Sequence, residues 1–179
     1  MLKFAWRLLQ GGEMTGDTRA AAESRAATGQ PDLPAQVSFC RLAEDLGITG
    51  VLVDIGAAKP DPIVLSTSLG LATRSLEFII ACRSGVQSPA VFVQQINTLS
   101  ALIGGRVVLN VVAGFSEMEQ RCYGDFLQHD ERYARMAEFL SVCDAFWRRG
   151  GPVDYSGQYY RMAVSAPPSS HPTGRVRNC

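Results

Sequence analysis

The 179-residue chain has few of the residues that build metal centres and disulfide frameworks. It contains two histidines, His129 and His171, and five widely spaced cysteines with no Cys-x-x-Cys pair. A zinc site needs paired ligands at close spacing, and a disulfide framework needs an even set of cysteines. We therefore expect no metal site, and free thiols in a reducing cytoplasm.

The sequence also lacks an excess of charge and long apolar runs. Seventeen basic and seventeen acidic residues give a formal net charge of zero, which offers no electrostatic basis for binding nucleic acid or an anionic membrane surface. No apolar run reaches the ~20 residues of a membrane-spanning helix. Arg7 interrupts the apolar start of the chain, which has no signal-peptide cleavage site. We expect a cytoplasmic protein with no nucleic-acid partner and no membrane span.

Two common active-site signatures are missing as well. Gly11-Gly12 lacks the spacing of a Gly-x-Gly-x-x-Gly phosphate loop and is not followed by a P-loop lysine. No serine stands in a Gly-x-Ser-x-Gly elbow, the turn that exposes the nucleophile of many hydrolases.

Short apolar strands that alternate with helical patterns dominate what is present. The helix signals include Asp61-Pro62 and Ser88-Pro89, which pair an N-cap residue with a proline at the first helical position, and Asp130, which opens a long helix. Four strands are predicted, at residues 2–9, 50–53, 76–82 and 106–112. This alternation predicts a parallel α/β sheet with its helices outside.

Three further segments differ in character from this pattern. Residues 11–30 form a polar, alanine-rich stretch that is longer than an ordinary connection. Residues 153–160 alternate around Ser156-Gly157 and predict a small hairpin. Residues 164–179, rich in proline and serine, predict a disordered tail after a folded domain over residues 1–163.

Ligands of parallel α/β folds bind at the carboxyl ends of the strands, and one candidate there is an amide. Asn110 interrupts the apolar fourth strand, and a buried amide must find hydrogen-bond partners. It bonds either to neighbouring backbone or to a ligand ring, since the small residues Ala113 and Gly114 follow at once.

Charged candidates for catalysis lie in the same region. Lys59 follows the second strand and Arg83 the third, and each either offers a charge to a substrate or is a solvated loop residue. His129 is the one histidine before the tail, which makes it the candidate for proton transfer near neutral pH. Together with Asp130 and Glu131 it also reads as an ordinary helix start. Residue chemistry alone leaves the catalytic residue unknown.

Several segments, in this order and at this spacing, resemble the bacterial luciferase-like flavin-dependent monooxygenases, particularly the alkanesulfonate monooxygenase branch. The resemblance extends over roughly residues 4–162. The segments are AEDLGITGVL (43–52), SPA (88–90) with QQ (94–95) and TL (98–99), GR (105–106) with LNVVAG (109–114), HDERY (129–133) and VDYSG (153–157).

The resemblance implies the amino-terminal half of a (β/α)8 TIM barrel. It further implies binding of reduced FMN, supplied by a separate flavin reductase, and oxidation of a small organic substrate with O2. By motif match, Asn110 would face the flavin ring and Ala81 would pack near it. Ala113 and Gly114 would allow close approach of the ring, and Tyr133 would lie at the ribityl or phosphate end.

The chain departs from the sulfonate branch at three positions. Gln10 and Phe115 stand where that branch and many relatives have histidine, and Lys59 stands where the branch has cysteine. Family members also continue through four more strands. Two alternatives therefore remain open: a deazaflavin-dependent oxidoreductase, and a non-catalytic half-barrel that is a truncated gene product or an assembly partner.

A half-barrel has open sheet edges, which favour aggregation or pairing with another chain. We expect a homo-oligomer or a partner chain to cover them. The side chains expected to face the barrel interior, without opposing strands to fill the layers, are Val51, Val53, Phe78, Ile80, Val108 and Val111.

Overall fold

Parallel strands and helices alternate along the chain in a computed structural model, which describes residues 2–10, 31–114, 116–149, 152–164 and 177–178. The elements in chain order are β1 (Ala5–Arg7), α1 (Leu33–Asp45), β2 (Gly50–Val53), α2 (Pro62–Leu71), β3 (Glu77–Arg83), α3 (Pro89–Leu102), β4 (Val107–Val112), α4 (Glu117–Cys122), α5 (His129–Arg149), β5 (Val153–Ser156), β6 (Arg161–Val164) and β7 (Arg177–Asn178). The main sheet is parallel, in the order β1-β2-β3-β4-β7. The predicted half-barrel arrangement of four parallel strands with helices is confirmed.

The two helix starts with proline form as the sequence predicts. The Asp61 carboxylate accepts hydrogen bonds from the backbone N–H groups of Ile63 and Val64, at 3.0 and 2.8 Å. The Ser88 hydroxyl accepts one from Val91 N–H at 3.4 Å. These side chains satisfy N–H groups that have no partner inside the helix, and the proline that follows each cap has no N–H to lose.

The chain before β4 is tied to its neighbours by the guanidinium of Arg106. It donates to the backbone oxygens of Gly70, Leu76 and Ile103 at 2.6, 2.8 and 2.9 Å, and to the Thr73 hydroxyl and carbonyl at 3.2 and 3.3 Å. The Arg106 carbonyl accepts from Phe78 N–H at 2.9 Å, where β3 and β4 begin to pair. One side chain thus joins the ends of α2 and α3 to the start of two strands.

The core lies between one face of the sheet and the helices. Val51, Val53, Phe78 and Ile80 are fully buried there and form one cluster with helical residues such as Phe92 and Phe139, while Val111 packs against its margin. The expectation that these five strand residues face the barrel interior is therefore wrong, because α2, α3 and α5 cover this face.

The opposite face, which we call the inner face, has a different set of side chains. Side chains alternate between the two faces of a strand, so residues next to the core residues point the other way. Val108 does lie on the inner face, in register with Ile79. The other members are Arg7, Leu52, Ile79, Ala81, Arg83, Asn110 and Val112.

The edge of β4 is paired over part of its length. β7 runs parallel to it, with Val108 opposite Arg177 and Leu109 opposite Asn178. The prediction of a disordered tail therefore does not describe residues 177–178, because backbone pairing with an open strand edge requires no apolar side chains. The rest of the proline-serine stretch, residues 165–176, lies outside the described residues, as does the polar stretch 11–30.

The predicted hairpin is confirmed, with its second strand later than expected. β5 and β6 are antiparallel, and Ser156 lies opposite Arg161. The Glu138 carboxylate of α5 accepts backbone N–H groups of Gln158, Tyr159 and Tyr160 at 2.7 to 3.1 Å, which holds the turn against the long helix. No helix in the described ranges is long and apolar enough to cross a membrane.

Candidate functional site

Two of the predicted cofactor-binding residues lie side by side on the inner face. Ala81 of β3 and Asn110 of β4 are register partners, near the carboxyl ends of their strands. Ala81 is only 5% exposed, and Asn110 is half-buried. No described residue hydrogen-bonds to the Asn110 side-chain amide, so its bonding capacity is uncommitted within that part of the chain. Of the two interpretations of this amide, the bond to neighbouring backbone is not found there.

The small residues after β4 pack against α4. Gly114 has a φ of +81°, which favours glycine, and a Cβ there would lie 1.4 Å from the Gln120 side-chain nitrogen. That nitrogen donates to the Ala113 carbonyl at 3.3 Å. Gln120 of α4 therefore occupies the Cβ position of Gly114, and close approach of a flavin ring at Ala113 and Gly114 stays a prediction.

The start of α5 is connected to the end of β4 through a buried arginine. Arg132 donates to the carbonyl oxygens of Leu127 and Gly114, at 2.7 and 3.4 Å. Tyr133, the next residue, is 49% exposed. Two of the regions that the resemblance assigns to the cofactor, residues 113–114 and 129–133, are thus joined by one side chain.

His129 lies at the surface, at the first position of α5. Its side chain is 70% exposed, with Nδ1 2.7 Å from Asp130 Oδ1 and its ring centroid 4.8 Å from that of Tyr133. The Glu131 carboxylate accepts from Gln128 N–H at 2.8 Å, which caps the helix. This arrangement is that of a helix start, and a role in proton transfer stays a prediction.

A second group of side chains gathers where β1 and β2 end. Asp54 Oδ2 lies 2.6 Å from Arg7 Nε and 3.0 Å from Lys59 Nζ. Gln10, which is buried, accepts from Asp54 N–H at 2.7 Å and donates to the Asp54 carbonyl at 3.1 Å. The Lys59 side chain is 13% exposed, so it is not a solvated loop residue. Gln10 and Lys59 are two of the positions at which the chain departs from the sulfonate branch, and both contact Asp54.

Arg83 ends β3 in a buried contact. It is 7% exposed, its guanidinium pairs with the Glu119 carboxylate, and its Cζ lies 5.1 Å from the centroid of the Tyr123 ring. The same carboxylate accepts from Ala57 N–H of the β2–α2 loop at 3.2 Å. Burial raises the pKa of the Tyr123 hydroxyl, an effect that the nearby Arg83 charge opposes.

The two groups meet at Gly56. A Cβ on this glycine would lie 3.1 Å from Glu119 Oε1 and 3.2 Å from Lys59 Cδ. We call the combined set, Arg7, Gln10, Asp54, Lys59, Arg83 and Glu119, the carboxyl-end cluster. Sequence reasoning found Lys59 and Arg83 but missed Glu119 and Gln120, because it read the segment after β4 as a loop. The spacing Ser116-x-x-Glu119 is a helix-start signal that could have revealed α4, and the Ser116 hydroxyl does accept from Glu119 N–H at 3.3 Å.

The segment between α4 and α5 is fixed by a further ion pair. Arg135 makes two contacts to the Asp125 carboxylate, at 3.2 and 2.5 Å, and its guanidinium occupies the space beside Gly85 in the β3–α3 loop. Burial of Asp125 raises its pKa, but hydrogen bonds from Arg135 and from Leu127 N–H outweigh this and lower it. The walls of the site are therefore held by buried charges.

Within the described ranges, no three His, Cys, Asp or Glu side chains group as ligands for a metal ion. Phe115, the third departure from the sulfonate branch, lies outside the described residues.

Known structures share this fold. The EDTA monooxygenase from Chelativorans sp. BNC1 superposes with a TM-score of 0.74 at 20% identity, covering 92% of this chain and 45% of that one. The oxygenating constituent of 3,6-diketocamphane monooxygenase from Pseudomonas putida, solved in complex with FMN, gives 0.66 at 21% identity over 74% of this chain and 38% of that one. The coenzyme F420-dependent tetrahydromethanopterin reductase from Methanopyrus kandleri gives 0.70 at 16%, over 92% and 45%. The chain spans less than half the length of each of these proteins.

The sequence profile of one family agrees with the fold and with the ordered motifs. The luciferase-like monooxygenase profile matches residues 14–176, which is most of the chain. The chain therefore belongs to the luciferase-like monooxygenase family.

Proposed function

We propose that the inner face near the ends of β3 and β4 binds a flavin, and that the protein is an FMNH2-dependent monooxygenase of a small organic substrate. The observation that carries this proposal is the pair Ala81 and Asn110. A small side chain stands beside a half-buried amide with no partner among the described residues. A carboxamide both donates and accepts hydrogen bonds, which suits a flat ring edged with carbonyl and N–H groups.

Each candidate residue then has a role of its own. Ala81 leaves room for a ring to pack on the sheet, and the Asn110 amide orients the ring edge. Gln120 and Gly114 close one wall of the site, and Tyr133 presents a hydroxyl at the surface for the ribityl or phosphate end. The reduced flavin, when bound, supplies the electrons for O2 reduction. The protein residues bind and orient it and exclude water from its ring.

The identity of the cofactor has support of two kinds. One structural neighbour was solved with FMN, and another is named for coenzyme F420, a deazaflavin. We favour FMN, delivered reduced by a separate flavin reductase, because FMN accompanies a monooxygenase among these neighbours. We further propose a sulfonate substrate, as in the branch that the motifs resemble, bound in a site where Gln10 and Lys59 both contact Asp54.

Anaerobic titration of the protein with reduced FMN tests the proposal. We expect saturable binding and, after O2 is added, flavin-dependent oxygen consumption with an accepted substrate. Replacing Asn110→Ala removes one or two hydrogen bonds and should weaken flavin binding by about threefold to tenfold. The matched control is Asn97→Ala on α3, whose amide accepts from the Trp147 indole at 3.0 Å in the core. Asn97→Ala should lower stability and leave flavin affinity unchanged.

Two outcomes would redirect the assignment. Binding of a deazaflavin in place of FMN would favour a hydride-transferring oxidoreductase. The absence of any flavin binding by the folded protein would favour the non-catalytic alternative.

We also propose that a second copy or a partner chain covers the edge formed by β1. Leu2 and Phe4, next to this strand, are exposed apolar residues. Sedimentation analysis tests this point: we expect self-association that rises with concentration, and a monodisperse monomer at all concentrations would contradict it.

A further inference from the structure

Arg83 has hydrogen-bond donors that its ion pair does not use. Its Nη2 group binds the Glu119 carboxylate. Its Nε and Nη1 atoms are fully buried and have no acceptor among the described residues. A buried charged donor without a partner is costly, and such groups in native structures mark a bound water, an ion or a ligand. Two buried donors of Arg83, at the end of β3, therefore lack a hydrogen-bond acceptor among the described residues.

The position of Arg83 places these two donors in the proposed flavin site. Arg83 stands on the inner face with Ala81, two residues nearer the carboxyl end of β3, and its register partner is Val112, two residues beyond Asn110. The guanidinium is held from two sides, by Glu119 and by the Tyr123 ring. This fixes it in place, so that little side-chain entropy is lost when it binds a ligand.

The chemistry of the guanidinium selects the kind of acceptor. The carboxyl-end cluster holds three basic side chains, Arg7, Lys59 and Arg83, and two acidic ones, Asp54 and Glu119. Both Lys59 and Glu119 flank Gly56, so the two halves of the cluster adjoin. A guanidinium is always charged, and its hydrogen bonds to charged oxygen atoms are stronger than those to neutral ones, so the two uncommitted donors of Arg83 favour an oxyanion.

We propose that Arg83 binds an oxyanion group of the ligand: a carboxylate or sulfonate of the substrate, or the phosphate of the flavin. The inference rests on the proposed function and narrows it to ligands that carry such a group. Glu119 and Tyr123 are positioning residues that act through Arg83.

The first test uses small anions in the absence of flavin. Acetate, methanesulfonate and inorganic phosphate are added to the full chain at constant ionic strength, and the thermal midpoint is followed at each concentration. We expect at least one anion to stabilise the protein in a saturable manner, where an equal ionic strength of sodium chloride does not. Arg83→Gln should weaken that anion's apparent affinity by about tenfold or more, since hydrogen bonds to charged groups are among the strongest in proteins.

Loss of Arg83 also leaves Glu119 buried without its partner, so reduced stability alone would be ambiguous. The double variant Arg83→Gln/Glu119→Gln keeps a neutral hydrogen-bonding pair at this position, and it should fold and still fail to bind the anion. Arg74→Gln is the matched control, because Arg74 is exposed and pairs only with exposed Asp45 among the described carboxylates. The control should bind the anion as the unmodified protein does.

Glu119→Gln separates a binding role from a structural one. Removal of this carboxylate frees a further Arg83 donor and eliminates the nearest negative charge, so anion affinity should rise. A purely structural ion pair predicts lower stability and no gain in anion affinity. Absence of a saturable anion effect, or an equal effect in Arg83→Gln, would overturn the proposal.

Comparison of FMN with riboflavin identifies the source of the oxyanion. If Arg83 holds the phosphate, the double variant should lose affinity for FMN and keep its affinity for riboflavin, which has none. If Arg83 holds a substrate group, both flavins should bind the double variant normally and only acetate or methanesulfonate binding should fall. Asn110→Ala should leave anion binding intact in either case, so a failure of the flavin proposal is distinguishable from a failure of this one.

Discussion

Arg106 offers a quantitative test of how the fold positions the site. Its guanidinium makes five hydrogen bonds to the ends of α2 and α3 and to the chain before β3. The Arg106 backbone pairs with Phe78 where β3 and β4 begin. This network fixes the pairing that later brings Ala81 beside Asn110. Arg106→Lys keeps the charge and removes the planar set of donors.

The expected loss of stability follows from the hydrogen bonds that a lysine side chain at this position cannot make. An ammonium has three donors on one nitrogen, so at least two of the five bonds are lost. A hydrogen bond to a charged group contributes about 1.5–3 kcal/mol, and such losses are less than additive within one network. We expect Arg106→Lys to lower the free energy of unfolding by about 3 kcal/mol, and the thermal midpoint by about 6–12 °C.

Urea unfolding followed by circular dichroism measures this difference. Arg74→Lys is the control, because the Arg74 side chain pairs with Asp45 at the surface and the substitution leaves its backbone N–H in place, so it should change stability by less than about 0.5 kcal/mol. If Arg106→Lys is as stable as Arg74→Lys, the Arg106 side chain does not fix β3 against β4.

Three further perturbations test other parts of the structure. Burial raises the pKa of Glu44, but hydrogen bonds from the N–H groups of Ser75, Leu76 and Arg74 outweigh this effect and lower the pKa. The ionised Glu44 carboxylate therefore stabilises the fold above its unfolded-state pKa, and this stabilisation is lost as the pH falls through its folded-state pKa. Glu44→Gln should therefore cost about 2 kcal/mol near neutral pH and almost nothing in strong acid, as urea unfolding at both pH values would show; an equal cost in acid would contradict this. Burial raises the pKa of Cys82 to about 12 while Cys122 is exposed, so Cys122→Ser should remove a fast thiol reaction with an aromatic disulfide reagent and Cys82→Ser should not. Gly114→Ala should cost about 2 kcal/mol in urea unfolding, because it puts a side chain at φ +81° and displaces Gln120, and a neutral effect would contradict the observed packing.

The sequence predicted well the features that depend on neighbouring residues. The N-caps at Asp61 and Ser88 and the four strands are local signals, and all of them are present. Asn110 could be singled out because one amide interrupts an otherwise apolar strand. Its place beside Ala81 follows from parallel pairing, which the alternation of strands and helices already predicted.

Other features could not be predicted from the sequence because they depend on residues that are far apart in the chain. β3 is apolar at successive positions, as at Phe78 and Ile79, so alternation could not reveal which side chains face the helices. The pairing of Arg83 with Glu119 joins residues 36 positions apart.

A crystal structure of the protein with bound FMN would show whether the inner face is the flavin site. We predict that the flavin ring lies on the inner face in contact with Ala81 and within hydrogen-bonding distance of the Asn110 amide. A flavin bound elsewhere, with the Asn110 amide turned to protein atoms alone, would contradict the account.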